Sequence, residues 1–134
     1  MQIFCLDSNR EFFYLWTQKK WLEEQLKKSN ARWKIVVLHH PLYSIKGSMN
    51  NLFQRTMFNP LVEEYGVDLV LQGHEHAYAR MTAHGENGEA QAPVYTVSHC
   101  SPKTTTSSST SGSTSSEQVA VTISKSVYMA TPSP

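Results

Sequence analysis

The chain has 134 residues, a length that accommodates at most one domain. Its hydrophobic fraction of 40% and charged fraction of 17% are typical of a globular protein. The formal net charge of +1 comes without a basic stripe or an acidic tail, so we expect no nucleic-acid partner. No apolar run reaches the roughly 18–20 residues of a membrane span, and no basic stretch precedes the apolar N-terminus as in a signal peptide. We therefore expect no membrane partner either. The two cysteines, Cys5 and Cys100, lie far apart in unlike contexts and are interpreted as unrelated thiols.

The first third of the chain alternates between strand and helix patterns. The predicted elements, in chain order, are a strand at 2–6, a turn at 7–10, an apolar link at 12–16, a helix at 17–29 and a strand at 35–38. Lys27 and Lys28 fall in the last turn of the helix, where the helix dipole favours cations. Three tryptophans, Trp16, Trp21 and Trp33, are expected to pack in the core or against helices.

A second helix and strand follow. Residues 50–58 are either a helical piece or an irregular connection. Asn59 then fits an N-cap, Pro60 the first helical position and Gly66 the stop signal. The next strand covers 68–72. Strand, helix and strand in this order, with apolar strands throughout, predict a right-handed parallel crossover.

The C-terminal part favours antiparallel structure. We expect strands at 78–81 and 93–98 joined by a hairpin turn at 84–88. Residues 104–116 are Ser or Thr except for Gly112, a composition that cannot bury enough apolar surface to order itself. The last predicted elements are strands at 119–123 and 127–130, which form a closing hairpin before a frayed end.

Four of the six histidines lie in two short clusters, LHHPLY at 38–43 and GHEHAYAR at 73–80. Each cluster directly follows a predicted strand. Because ligands bind beyond the carboxyl ends of strands in an open α/β sheet, two neighbouring strands would bring imidazoles to one place. Neutral imidazole is a common ligand of zinc and iron. The pattern therefore predicts a metal site.

The two clusters leave alternatives open. Pro41 biases His40 to an extended conformation, so His39 and His40 are expected to point in opposite directions. One of the pair can then be a ligand while the other faces substrate or the core. His74 and His76, two residues apart, can diverge to reach two metals or converge on one.

The stretches WKIVVLHHPLYS at 33–44 and DLVLQGHEHAY at 68–78 closely resemble the last two metal-binding blocks of the calcineurin-like metallophosphoesterases. The form GHxHAYxR is most similar to the purple acid phosphatase branch. Residues 6–8, 18–23 and 93–97 also resemble that branch, so the resemblance covers roughly 1–102.

The resemblance implies an α/β fold that is the C-terminal half of an αββα sandwich, with a parallel βαβ unit followed by antiparallel strands. It divides the chain into a partial phosphoesterase domain at 1–102, a flexible Ser/Thr-rich loop at 103–116 and a closing hairpin with a frayed end at 117–134. By the resemblance, His39 and His74 would bind one metal and His76 the other. His40 is the candidate catalytic residue.

In the complete family site, two metals about 3.5–4 Å apart clamp the phosphoryl group during hydrolysis of a phosphomonoester. Around such a centre, Glu75 is either an acceptor behind the ligands or an exposed, solvated side chain. Tyr78 and Arg80 either order the loop or meet the phosphate. We expect no chemistry from His84 or from the pair His99 and Cys100.

The chain departs from the family pattern in one respect that matters. The family's first three blocks, Asp-x-His, Gly-Asp-x-x-Asp or Tyr, and Gly-Asn-His, are not found and would lie upstream of Met1. Without their bridging carboxylate, two adjacent cations would not be neutralised. We therefore expect at most one iron, zinc or manganese ion, held weakly by His39 and His74.

Three functions remain open. The chain is half of a phosphomonoester hydrolase, inactive alone and dependent on a complementing N-terminal half. Alternatively, it is a non-catalytic remnant that binds one metal or none. In the third interpretation it is an interaction module, which self-associates or binds a partner through an uncovered sheet. Localisation stays open, although members of the resembled branch are often exported.

Overall fold

A computed structural model describes residues 1–44, 51–84, 90–98 and 119–122. These contain six strands and two helices: β1 (Gln2–Leu6), α1 (Phe12–Lys28), β2 (Lys34–Leu38), α2 (Leu52–Glu64), β3 (Leu69–Gln72), β4 (Ala79–His84), β5 (Ala90–Val97) and β6 (Val119–Thr122). The strands form one sheet in the order β1-β2-β3-β5-β4-β6.

Four neighbouring strands of the sheet, β1, β2, β3 and β5, run parallel. β4 pairs antiparallel with β5, and β6 pairs antiparallel with β4. The predicted parallel crossover through α2 and the antiparallel strands after it are therefore confirmed. The register places Leu6 beside Leu38 and Leu38 beside Gln72, so the chain leaves β1, β2 and β3 along one edge.

Both helices pack on the same face of the sheet. Alternate strand residues such as Phe4, Val36 and Val70 point into a core that also contains Leu22 and Phe58 from the helices. All five are at most 1% exposed. The residues between them on the strands face the other side, which the helices do not cover. Among the described residues, the buried hydrophobic core thus lies on the side of the sheet that the helices cover.

Helix α1 begins earlier than the sequence predicts. The apolar link expected at 12–16 is its first turn, because the Glu11 carbonyl oxygen accepts hydrogen bonds from the backbone N–H groups of Tyr14 and Leu15. Leu15 is buried with Leu22 and Leu26, and these leucines make the contacts with the core.

Of the two expected environments of the tryptophans, the core is excluded. Trp16 and Trp21 are each 44% exposed, and Trp33 is 53% exposed. The buried leucines of α1 occupy the face of the helix that packs on the sheet. Trp16 and Trp21 therefore lie outside that face and remain partly exposed to solvent.

Helix α2 is continuous through the position where a boundary was expected. Pro60 lies inside it, and Asn59 is a buried residue of the helix interior, not an N-cap. The Asn59 side chain donates to Glu63 Oε1 at 2.8 Å and to Tyr43 Oη at 3.2 Å. Pro60 removes one intrahelical hydrogen bond. Because Pro60 is exposed, water can reach the backbone there.

The predicted stop at Gly66 is confirmed. Gly66 has a φ of +60°, its N–H donates to the Glu63 carbonyl, and the Val67 N–H donates to the Val62 carbonyl. These two bonds form the Schellman motif, in which glycine accommodates the left-handed backbone.

Several predicted features fall outside the described residues. They are residues 85–88 of the hairpin turn, His99, Cys100, the Ser/Thr tract and the strand at 127–130. The predicted division into segments at 102 and 116 therefore stays a prediction. No helix within the described ranges combines the length and the apolar character needed to cross a bilayer.

Candidate metal centre

The loops after β2 and β3 meet at the carboxyl edge of the sheet. His39 and His40 follow the end of β2, and His74 follows Gly73 after β3. The Gly73 N–H donates to the His39 carbonyl oxygen at 3.0 Å, which joins the two loops. A Cβ added at Gly73 would stand 3.5 Å from His39 Nδ1, in ordinary van der Waals contact. The two loops are therefore in contact beside the imidazole of His39.

Three imidazoles, those of His39, His40 and His74, form what we call the histidine cluster. One ligand atom from each lies within 4.8 Å of the others. His39 Nε2 and His74 Nδ1 are 3.2 Å apart. Two nitrogens at the usual Zn–N distance on one tetrahedral ion would be roughly 3.3 Å apart. The spacing and the donor atoms of the cluster thus fit a metal such as zinc or iron.

His39 and His40 do not point in opposite directions, contrary to expectation. Their ring centroids are 5.0 Å apart, and both rings belong to the cluster. The alternation of a strand ends at Leu38, so it does not govern these two residues. The His40 N–H instead donates to Ser8 Oγ at 2.9 Å.

Ser8 is a residue of the site that sequence reasoning missed. It is 2% exposed, and its Oγ also lies 3.1 Å from His40 Nδ1. The sequence offers one indication of this role, a hydroxyl residue shortly after β1. Because β1 and β2 are parallel neighbours, the residues after both strands lie at the same edge of the sheet.

His76, the predicted ligand of a second metal, does not belong to the cluster. It is half-buried in the loop after β3. Among the residues that the structure describes, no aspartate or glutamate joins the cluster either.

The loop after β3 bends at His74, the residue that follows Gly73. His74 has a φ of +67°, and the Glu75 N–H donates to the Gly73 carbonyl at 2.8 Å across a three-residue turn. The Ala77 N–H donates to the Glu75 carbonyl at 2.8 Å in the same way. Positive φ is uncommon outside glycine, although His is among the residues that tolerate it. Such strain is concentrated at functional sites.

Glu75 is buried, being 3% exposed, which excludes the second of its two expected states, the exposed and solvated side chain. Its carboxylate accepts a hydrogen bond from the Ser44 hydroxyl, which ties the two histidine loops together behind the cluster. Tyr78 is half-buried and Arg80 is exposed on β4. Their suggested roles toward phosphate stay predictions.

The surroundings of His40 favour its neutral ring. Burial lowers the pKa of His40, and the neighbouring His74 and His39 lower it further, although the backbone of Ser8 acts in the other direction. A neutral ring has a lone pair for a metal or for a hydrogen bond.

The calcineurin-like phosphoesterase family model matches residues 2–78, more than half of the chain. The chain belongs to the calcineurin-like phosphoesterase family. The matched range contains the whole histidine cluster and Ser8, so the site described above lies within the family's own domain.

Individual relatives extend the comparison. An acid phosphatase of Aspergillus ficuum is 42% identical over 74 residues, which are 53% of this chain and 12% of that protein. Purple acid phosphatase 17 of Arabidopsis thaliana is 44% identical over 63 residues, 46% of this chain and 18% of that protein. The Fe(3+)-Zn(2+) purple acid phosphatase 12 of the same plant is 38% identical over 68 residues, 47% of this chain and 14% of that protein. The resemblance to the purple acid phosphatase branch is thus confirmed, and the chain spans under a fifth of these relatives' lengths.

Among solved structures, the chain is similar to GAP50, the anchor in the inner membrane complex of Plasmodium. The TM-score is 0.52 at 23% sequence identity, with 80% of this chain and 36% of that chain covered. At this identity the likeness shows the fold alone. The expected fold class is confirmed.

Proposed function

We propose that this chain is the part of a metal-dependent phosphomonoester hydrolase that supplies the histidine ligands of its metal centre. The histidine cluster carries this proposal, since its imidazoles come from two neighbouring strand ends at metal-ligand spacing. In this proposal His39 and His74 hold one ion, His76 reaches a second and His40 faces the phosphate. The names of the purple acid phosphatase relatives support this reaction class.

Bound metal ions would supply Lewis-acid polarisation of the phosphoryl group and lower the pKa of water. The chain's own residues prepare the site for this chemistry. Burial lowers the pKa of His40, and the strained loop at His74 would orient one ligand before any ion binds. The Glu75–Ser44 hydrogen bond holds both loops in register.

We propose that the isolated chain binds at most one iron, zinc or manganese ion and does not turn over substrate. The described cluster is made of neutral imidazoles without a carboxylate. A pair of adjacent cations needs negative ligands to offset their repulsion. The missing ligands would come from a complementing half.

The side of the sheet that no helix of the described ranges covers supports such a complement. We call it the open face. It consists of two cross-strand rows of side chains, Ile3–Ile35–Leu69–Val94 and Cys5–Val37–Leu71–Thr96. Seven of these eight residues are apolar. Ile3 is 50% exposed and Leu71 is 39% exposed. Parallel sheets normally have both faces covered, and an exposed apolar patch marks an interaction site.

The open face is continuous with the histidine cluster. A shallow surface groove of about 360 Å³ runs from Cys5, Val37 and Leu71 to His39 and Gly73. A layer of protein that packs on the open face would therefore come next to His39. This continuity favours a complementing half that both covers the sheet and brings carboxylates to the metal.

The proposal predicts that activity depends on complementation. We would measure hydrolysis of an aryl phosphate by the chain alone, and by the chain fused or mixed with the upstream part of a purple acid phosphatase relative. Iron, zinc and manganese would be supplied, with His76→Ala as the control. The chain alone should show no turnover above the control, and the complemented chain should exceed it.

Two outcomes contradict the proposal. Turnover by the chain alone that His76→Ala abolishes would mean that a working centre forms without further ligands. A complemented pair that folds yet shows no turnover above its His76→Ala control would leave a non-catalytic remnant or an interaction module.

A further inference from the structure

We propose that Ser8 is a positioning residue, which holds His40 in the tautomer with its proton on Nε2. His40 then acts as a hydrogen-bond donor and not as a third metal ligand. The tautomer follows from the contacts between Ser8 and His40 alone, while the role of His40 toward a phosphate ester rests on the proposed function.

The contact between Ser8 and His40 has two parts. Ser8 Oγ accepts the His40 backbone N–H at 2.9 Å and lies 3.1 Å from His40 Nδ1. Ser8 is 2% exposed, so solvent does not compete for its hydroxyl. A serine hydroxyl offers one proton and two lone pairs. The backbone N–H of His40 occupies one lone pair.

The remaining proton and lone pair decide the tautomer. If Nδ1 carried the proton, it would donate to Ser8 Oγ or turn to the Ser8 backbone. The Ser8 hydroxyl proton would then have no acceptor among the described residues, and an unsatisfied buried donor is unfavourable. If Nδ1 is bare, the hydroxyl donates to it, and both the buried hydroxyl and the His40 backbone N–H have partners. The neutral ring of His40 therefore carries its proton on Nε2.

This tautomer gives His40 a different role from the other two imidazoles of the histidine cluster. His39 Nε2 and His74 Nδ1 lie 3.2 Å apart, at the spacing of two ligands on one ion. His40 Nε2–H has no lone pair to give a metal. The cluster thus consists of two metal ligands, His39 and His74, and one neutral hydrogen-bond donor, His40. The His40 Nε2–H can donate to an oxygen of a phosphate ester beside the ion.

The test is the tautomer of His40 in the intact chain, observed by long-range ¹H–¹⁵N correlation of the histidine rings. The sample is metal-free at about pH 8, where imidazole is neutral, and the His40→Gln spectrum assigns the signal. We expect His40 in the Nε2–H form. Ser8→Ala should lose that preference, and Ser8→Thr should restore it because threonine keeps the hydroxyl.

Ser29→Ala is the matched control. The Ser29 hydroxyl also makes a hydrogen bond to the β1 strand, since it donates to Gln2 Oε1 at 2.6 Å, but it does not contact His40. This variant should leave the His40 tautomer unchanged, although it too removes a serine hydrogen bond.

Three results would overturn the inference: an Nδ1–H form of His40 in the parent chain, an unchanged tautomer in Ser8→Ala, or a metal-bound His40 signal when Zn²⁺ is added. In the expected result, Zn²⁺ shifts the ring signals of His39 and His74 while His40 keeps its Nε2 proton. The parent spectrum needs no substitution, so a variant that fails to fold does not leave the question open. A chain with the expected tautomer but no activity after complementation would refute the proposed function alone.

Discussion

His39 and His74 are separated by 35 positions in the sequence, yet their ring nitrogens lie 3.2 Å apart. Nothing in either loop alone produces that distance. It follows from the parallel register of β2 and β3 and from the Gly73–His39 hydrogen bond, which brings the loops into contact. The ligand pair is therefore a property of the folded sheet.

We predict that His39→Ala and His74→Ala each weaken zinc binding at least about tenfold, because each removes one of two nitrogens that share an ion. His84→Ala, at the far end of β4, should leave the affinity within experimental error. Isothermal titration with Zn²⁺ measures all three. Equal affinities for parent and His74→Ala would exclude His74 as a ligand.

The positive φ of His74 allows its backbone and ligand roles to be separated. We predict that His74→Gly unfolds with a free energy about 1 kcal/mol above that of His74→Ala, since glycine adopts φ near +67° without strain. Both variants should lose zinc to the same extent. Urea denaturation of metal-free protein gives the stabilities. A glycine variant less stable than the alanine variant would argue that His74 is not strained.

At the scale of elements, the interior of α2 is fixed by a buried polar network. Asn59 donates to Tyr43 and Glu63, and Tyr95 donates to Asn59 Oδ1 at 2.5 Å. The network links the helix to β5 and to the loop that follows the histidines. The helix therefore continues through Pro60, because Asn59 contributes more from the interior than it would as a cap.

We predict that Tyr95→Phe lowers the free energy of unfolding by about 1–2 kcal/mol, since it leaves Asn59 Oδ1 without its donor. Tyr43→Phe should cost less, because Tyr43 is only half-buried and its Oη accepts from Asn59 at the longer distance of 3.2 Å. Denaturant titration of both variants at pH 7 measures the difference.

The same tyrosine predicts a dependence on pH. Burial raises the pKa of Tyr95, and the neighbouring Tyr43 and Glu63 raise it further. The unfolded chain loses this proton near pH 10 while the folded chain keeps it. Stability should therefore fall as the pH rises above about 10, and fall less steeply in Tyr95→Phe. Equal slopes of the free energy of unfolding against pH in the parent chain and in Tyr95→Phe would contradict this prediction.

Strands were more predictable than helix limits. The runs at 35–38 and 68–72 are apolar and bounded by turn residues, so local pattern suffices to find them. The rule that places proline at the first turn of a helix fails at Pro60, because it ignores the contacts of Asn59 with Tyr43 and Tyr95.

The same limit applies at the site. The convergence of the two histidine clusters on one edge follows from strand order alone. The Ser8–His40 contact spans 32 positions and needs the β1–β2 register, which no local pattern contains. The positive φ of His74 could not be predicted from the sequence, because glycine is the residue that normally adopts positive φ and Gly73 directly precedes His74.

For the whole molecule, the asymmetry of the sheet predicts association. We expect the chain to self-associate and to bind a hydrophobic dye, and Leu71→Lys to reduce both by placing a charge in the open face. Leu52→Lys is the matched control, since Leu52 is 51% exposed but lies on α2, on the other side of the sheet. Sedimentation velocity and dye fluorescence test this. A parent chain that is monomeric and binds no dye would refute it.

Cys5 lies in the second row of the open face, and its thiol is free and exposed. A thiol reacts with an alkylating reagent only while the reagent can reach it. In a chain with Cys100→Ser, the rate of Cys5 alkylation would therefore measure the fraction of time the sheet is uncovered. The alkylation rate of Cys5 thus reports assembly of the sheet with a partner, and the measurement requires neither metal nor substrate.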